Sequence, residues 1–203
     1  MIIGLMGLMG SGKSTVAEYL KSKNMPVIDL DVLSHNVYDY GTDEYYKILE
    51  IWGNDILDEG SQIDRSKLSK KVFSNSYESI SIADLKRSGL ENLELIVWPK
   101  LEELLTIELN SHKSEELLFI EGAQIVKSGF NKYCDKLWCI VSSIENIKSR
   151  LDYRHVNILG RLKIQIEDYA KLNNIDEFIY NDSTKQELNN NVQFLLERIR
   201  KET

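Results

Sequence analysis

Gly7, Gly10, Gly12, Lys13 and Ser14 stand at the spacing G-x-x-x-x-G-K-[ST], a set of residue types suited to holding phosphate. Glycines let the chain turn successive backbone amides inward onto phosphate oxygens. A helix starting just beyond them adds free N–H groups and the positive end of its dipole. Lys13 supplies a point charge, and the hydroxyl of Ser14 is an oxygen ligand of the kind Mg2+ takes. On this reading Gly10, Ser11, Gly12, Lys13, Ser14 and Thr15 bind the phosphates of ATP, with Mg2+ on Ser14. A ligand-free turn would tolerate Gly10 and Gly12, yet it has no use for a lysine and a hydroxyl at adjacent positions.

A second constellation follows in Asp29-Leu30-Asp31, two carboxylates at the end of an apolar run. In open α/β sheets ligands bind beyond the carboxyl ends of the strands, so a carboxylate there is placed to orient or deprotonate an attacking hydroxyl. Asp31 also precedes a helical pattern through Val32, Leu33, Asn36 and Val37, so capping that helix is its competing role. Further along, Arg150 and Arg154 are four apart on a helical stretch, hence on one face, where guanidinium groups meet phosphates or stack on adenine; a solvated face is the alternative.

The elements that must position these groups are legible as short apolar runs at residues 2–6, 26–29, 117–121, 137–141 and 178–180. Runs of this kind suit parallel strands buried on both faces, and their alternation with helical stretches predicts a three-layer α/β fold. The first run leads straight into the glycine motif. Nearly ninety residues separate the second run from the third, far more than one crossover helix needs. Leu93, Ile96, Val97, Leu101, Leu104 and Leu105 fall on one helical face in that interval, and Ser66, Lys67, Leu68, Val72 and Phe73 suggest a further amphipathic helix. The interval therefore reads as a helical substrate lobe.

Composition narrows the class. The chain has 203 residues, 42% hydrophobic and 28% charged, which suits one main domain with a sizeable core. A formal net charge of −7 argues against a broad nucleic-acid surface. The apolar start, residues 1–9, is too short for a signal peptide, and no run approaches membrane-spanning length. Cys134 and Cys139 lack the companions a zinc site needs, so they read as buried, reduced thiols of a cytoplasmic protein.

With these residues in place, the sequence resembles the dephospho-CoA kinase family along most of its length. GLMGLMGSGKST resembles the family's phosphate loop, IDLDVLSHNVYDYG its aspartate motif, and IDRSKLSKKVF the arginine and apolar helix of its helical lobe. LENLELIVWP resembles a helix that ends in His-Pro in the family, and the stretch from Arg150 to Asn181 resembles its lid and adenine-side segment. Arg161, Gln165, Lys171, Asp176 and Asn181 fall at the family's spacing.

The resemblance implies a P-loop kinase fold with a five-stranded parallel sheet, helices on both faces, a helical substrate lobe and a short helical lid. Residues 1–32 and 114–203 would form the nucleotide-binding core of a single domain, 33–113 the inserted lobe and 145–166 the lid. The implied reaction is ATP-dependent, Mg2+-assisted phosphorylation of the ribose 3′-hydroxyl of dephospho-CoA. Asp31, Lys13 and Arg150 would be catalytic. Arg150, Arg154 and Asn181 would join the loop in binding ATP, while Asp29, Asp31, His35, Tyr38 and Arg65 would contact the acceptor. His35 and Tyr38 also read as ordinary helix-face packing, and Arg65 as the partner of a surface carboxylate. Trp98 replaces the histidine before proline, and Ala123-Gln124-Ile125-Val126-Lys127 replaces the family's Pro-Leu-Leu-x-Glu. Two other readings stand beside this one, a nucleoside or nucleoside-monophosphate kinase with a smaller acceptor, and an ATP-binding regulator without turnover.

Overall fold

The computed structural model describes residues 1–73, 89–151, 158–170 and 172–202. The apolar runs form five strands, β1 Ile2–Gly7, β2 Val27–Asp29, β3 Leu118–Glu121, β4 Lys136–Val141 and β5 Glu177–Tyr180. They pair in the order β2-β3-β1-β4-β5, every neighbouring pair parallel. β1 and β3 are buried almost throughout, which is why they read as continuous apolar runs, whereas β5 at the sheet edge buries Ile179 alone of its four residues. The expected five-stranded parallel sheet with crossover helices is therefore the observed one.

The helices of the described residues are α1 Lys13–Ser22, α2 Leu30–His35, α3 Asp43–Trp52, α4 Arg65–Val72, α5 Gly89–Ser111, α6 Ile144–Arg150, α7 Ile158–Tyr169 and α8 Lys185–Glu202. The described chain divides into two compact units. One holds residues 1–29, 111–151 and 159–202; the other holds 30–73 and 89–110. In the first, Ile3 and Leu5 of β1, Phe119 of β3 and Trp138 and Ile140 of β4 pack with Val16 and Leu20 of α1 and Leu188, Val192 and Leu196 of α8. Phe119 and Trp138 meet with their ring centroids 5.8 Å apart. In the second, Tyr45, Ile48 and Trp52 of α3 pack against Ile56, Ile63 and the α4 residues Leu68 and Val72.

Local chemistry sets the ends of these lobe helices. The Thr42 hydroxyl accepts the Tyr45 N–H at the start of α3, and the Asp64 carboxylate accepts the N–H groups of Ser66 and Lys67 at the start of α4. Two details differ from the sequence expectation. α2 begins at Leu30, directly on the end of β2, and stops at His35, so Asp31 lies in its first turn rather than capping it, and Asn36 and Val37 fall beyond it. α5 does not end at Trp98-Pro99 but runs on to Ser111 with Pro99 inside. The carbonyl that a proline frees belongs to the residue four earlier. Here that residue is Leu95, whose side chain is 52% exposed, so the freed group lies on the wet side of the helix. The buried stripe of α5 is Glu94, Val97, Leu101 and Leu105.

Among the described residues, no helix is long and apolar enough to cross a membrane. Both cysteines are free thiols, Cys139 buried and Cys134 partly so. Burial pushes them up to about 11 and about 12 respectively.

Candidate active site

β1 carries the chain to the carboxyl edge of the sheet and releases it into residues 8–12, after which α1 starts at Lys13. Gly12 precedes that helix in a left-handed conformation, φ 105°, and a Cβ built on it would lie 2.2 Å from Asn181 Nδ2. Gly7 comes so close to β4 that its Cβ would sit 2.5 Å from the Ile140 carbonyl oxygen. At both positions a side chain has no room.

No acidic residue stands in the first turn of α1, although α3 carries Asp43 and Glu44 in its own. The positive end of α1 is therefore not neutralised by acids of its own first turn, the state an anion-binding helix start requires. Lys13 is 8% exposed, and its Nζ donates to the Leu8 carbonyl at 3.4 Å, which folds the ammonium back over the loop. The same charge works against the burial that raises the Cys139 thiol.

Ser14 Oγ donates to Glu121 Oε1 at 3.1 Å. Glu121 ends β3, is 5% exposed and pairs in register with Asp29, the last residue of β2. Sequence reasoning missed Glu121. The available signal was an acid closing an otherwise apolar strand. Ser14, Glu121 and Asp29 are oxygen donors of the hard type Mg2+ selects. Among the described residues no cluster of three or more His, Cys, Asp or Glu side chains is arranged to hold a metal. That suits a Mg2+ site in which the protein supplies few ligands and nucleotide phosphates supply more.

Side chains from three other elements hold the loop. Asn181 lies just after β5, is 8% exposed, and gives its Nδ2 to the Ser11 carbonyl at 2.7 Å. Arg150, the last residue of α6, donates to the Gly10 carbonyl at 3.2 Å, the Ser142 hydroxyl at 3.1 Å and the Asn181 carbonyl at 2.9 Å. Behind it, Asp182 Oδ1 accepts from Ser142 Oγ, the Ser143 N–H and Asn146 Nδ2 at 2.9, 2.7 and 3.1 Å. These bonds hold its carboxyl below the usual aspartate range, the Ser143 N–H contributing most. From α7, Gln165 and Tyr169 bond to the amides of Met9 and Gly7. Asp176, read from its spacing alone, accepts the Leu137 N–H at 2.7 Å and so ties the start of β5 to β4.

Lys127 has a place as well. Its Nζ lies 3.7 Å from Asp168 Oδ2 of α7, both side chains about a quarter exposed, an ion pair joining the segment after β3 to that helix. The distance exceeds hydrogen-bond range, consistent with Asp168 Oδ2 making no hydrogen bond.

In the second unit Asp31 and His35 are exposed on α2. Tyr38 and Arg65 come together by a side-chain hydrogen bond. Burial pushes the Tyr38 phenol up, while the Arg65 guanidinium works in the opposite direction. Thr15 is half-buried in the first turn of α1. Arg154 and Lys171 lie outside the described residues, and of Arg161 only its place on α7 is described.

Comparison with known proteins agrees with this geometry. The family model described as dephospho-CoA kinase matches residues 1–187. A dephospho-CoA kinase of Fusobacterium nucleatum subsp. nucleatum is 30% identical over 98% of this chain and 98% of its own. That of Streptococcus mutans serotype c is 30% identical over 99% and 98% respectively. The crystal structure titled dephospho-CoA kinase from Campylobacter jejuni superposes with a TM-score of 0.69 at 23% identity, over 98% of this chain and 97% of that one, and so shares the fold. With a phosphate loop at the head of a five-stranded parallel sheet and a family match over nearly its whole length, the chain belongs to the dephospho-CoA kinase family.

Proposed function

We propose that the chain transfers the terminal phosphoryl group of ATP to the ribose 3′-hydroxyl of dephospho-CoA, releasing coenzyme A and ADP. The observation that carries this reading is the family match over residues 1–187, anchored on a loop whose lysine and serine sit where phosphate chemistry needs them. The O3′ oxygen bonds to the γ-phosphorus as the bond from that phosphorus to the β–γ bridging oxygen breaks, and the hydroxyl proton passes to a carboxylate. Asp31 is that carboxylate, and Asp29, two residues earlier at the end of β2, supports it. His35, Tyr38 and Arg65 contact the acceptor nucleotide, the last through a guanidinium already paired with a phenol.

Backbone amides at the start of α1 and the Lys13 ammonium carry the negative charge of the β- and γ-phosphates. Ser14 and Glu121 hold Mg2+, which, when bound with ATP, neutralises charge on the phosphates. The Ser14–Glu121 hydrogen bond supports that pairing, since it already directs the hydroxyl and the carboxylate at each other. Arg150 and Arg154 add positive charge on the lid side, and Asn181 keeps the loop shaped for ATP. The free thiols and the net charge of −7 support work in the cytoplasm, on nucleotides rather than on nucleic acid.

The test is a panel of acceptors in an assay coupled to ADP release. Dephospho-CoA should exceed adenosine, AMP, CMP and dAMP in kcat/KM. Preference for a monophosphate would transfer the chain to the nucleoside-monophosphate kinases. ATP binding without turnover on any acceptor would make it a regulator.

A further inference from the structure

Two side chains of α7, one helical turn apart and therefore on one face, meet the amino-terminal half of the phosphate loop. Gln165, 7% exposed, accepts the Met9 N–H on its Oε1 at 2.8 Å. The Tyr169 hydroxyl accepts the Gly7 N–H at 2.6 Å and donates to the Ala123 carbonyl at 2.8 Å. One phenol thus joins the end of β1, the segment after β3 and α7. These contacts complement those of Asn181 and Arg150, which grip the carbonyls of Ser11 and Gly10 in the other half of the loop.

The same face of α7 borders a cavity of about 260 Å³, lined among others by Met6, Ala123, Val126, Gln165, Tyr169 and Leu172. Close apolar packing does not fill the space between the helix and the strand ends. The polar contacts therefore carry much of the attachment, and each one lost leaves a backbone amide without its partner.

We infer that Gln165 and Tyr169 are positioning residues for nucleotide binding, which preset the phosphate loop through the amides of Met9 and Gly7. Neither side chain is assigned to the phosphates. Each acts by holding the loop in the conformation that presents the amides of α1 to an anion. A loop that occupies the competent conformation for only a fraction of the time binds more weakly by that fraction. The inference rests on the phosphate-loop reading and extends it to α7, the helix that follows the lid segment.

The test uses ADP as probe in isothermal titration of the full chain, with thermal unfolding measured alongside. Tyr169→Phe keeps the ring beside the cavity and removes only the hydroxyl. Gln165→Met keeps the length of the side chain and removes the acceptor. Each variant should weaken ADP about five- to tenfold, the scale of one hydrogen bond, with the unfolding midpoint within about 3 °C of wild type. Unchanged ADP affinity in both variants, or a loss that accompanies a fall in midpoint of more than about 5 °C in both, would overturn the inference alone. Failure of the wild-type chain to bind ADP would overturn the phosphate-loop reading, and this inference with it.

Discussion

Gly12→Ala tests the geometry of the loop without touching its charges. The new methyl group would lie 2.2 Å from Asn181 Nδ2, with the backbone at φ 105°. Holding an L residue in the left-handed region costs about 1–2 kcal/mol. The clash falls on Asn181, which must withdraw its amide from the Ser11 carbonyl; leaving a buried acceptor unpaired adds about 1–3 kcal/mol. Together the loss is about 2–5 kcal/mol, a large part of the roughly 5–15 kcal/mol that holds a domain folded.

Asn181→Ala removes the same hydrogen bond and should itself cost about 1–3 kcal/mol. In the double variant the clash has nothing left to displace. Its stability should therefore nearly equal that of Gly12→Ala, a departure from additivity of about 1–3 kcal/mol. Urea unfolding of the four proteins followed by circular dichroism measures this directly. Additive losses, within about 0.5 kcal/mol, would refute the argument, because Gly12 and Asn181 would then act independently.

Three further outcomes are expected. Asp31→Asn should lower kcat roughly 10²-fold or more with little change in ATP affinity, and Asp29→Asn should do less, as steady-state rates beside titration of ATP would show; the reverse ranking would exchange their roles. The Asp182 carboxyl is held below its ordinary value of 3.8, so its stabilising contribution is fully present above that value and disappears as pH falls through the lowered one. Wild type should accordingly exceed Asp182→Asn in stability at neutral pH by a margin that shrinks below about pH 4, and a margin independent of pH would refute the assignment. With thiols raised to about 12 at Cys134 and about 11 at Cys139, alkylation by iodoacetamide at pH 8 should be slow in the folded protein and fast in urea, as intact-mass spectrometry would show.

The sheet was legible because strands buried on both faces must be apolar throughout, and each of the five runs lies within one residue of an observed strand end. The phosphate loop was legible for a similar reason, since its chemistry is local and its residue types are fixed by backbone conformation at Gly12 and by charge at Lys13. Contacts across long separations left no local mark. Ser14 meets Glu121 over 107 residues, Gly7 meets Tyr169 over 162, and Ser11 meets Asn181 over 170. Glu121 alone offered a clue, as an acid at the end of an apolar strand. Tyr169 offered none, because a tyrosine on an amphipathic helix reads as packing until its hydroxyl is seen between two backbone groups. Pro99 misled for a physical reason, since a proline ends a helix only where the carbonyl it frees has nowhere to go. The role of Lys127 required the ion pair with Asp168 to be visible.

The central claim is the transfer of a phosphoryl group to one hydroxyl, and identification of the product tests it most directly. The purified chain incubated with ATP, Mg2+ and dephospho-CoA should yield equal amounts of ADP and coenzyme A, with 31P NMR placing a new phosphomonoester on the ribose 3′-oxygen. The Lys13→Ala protein, folded by circular dichroism, should yield neither. A phosphate on any other oxygen, or ADP released without a phosphorylated acceptor, would contradict the account.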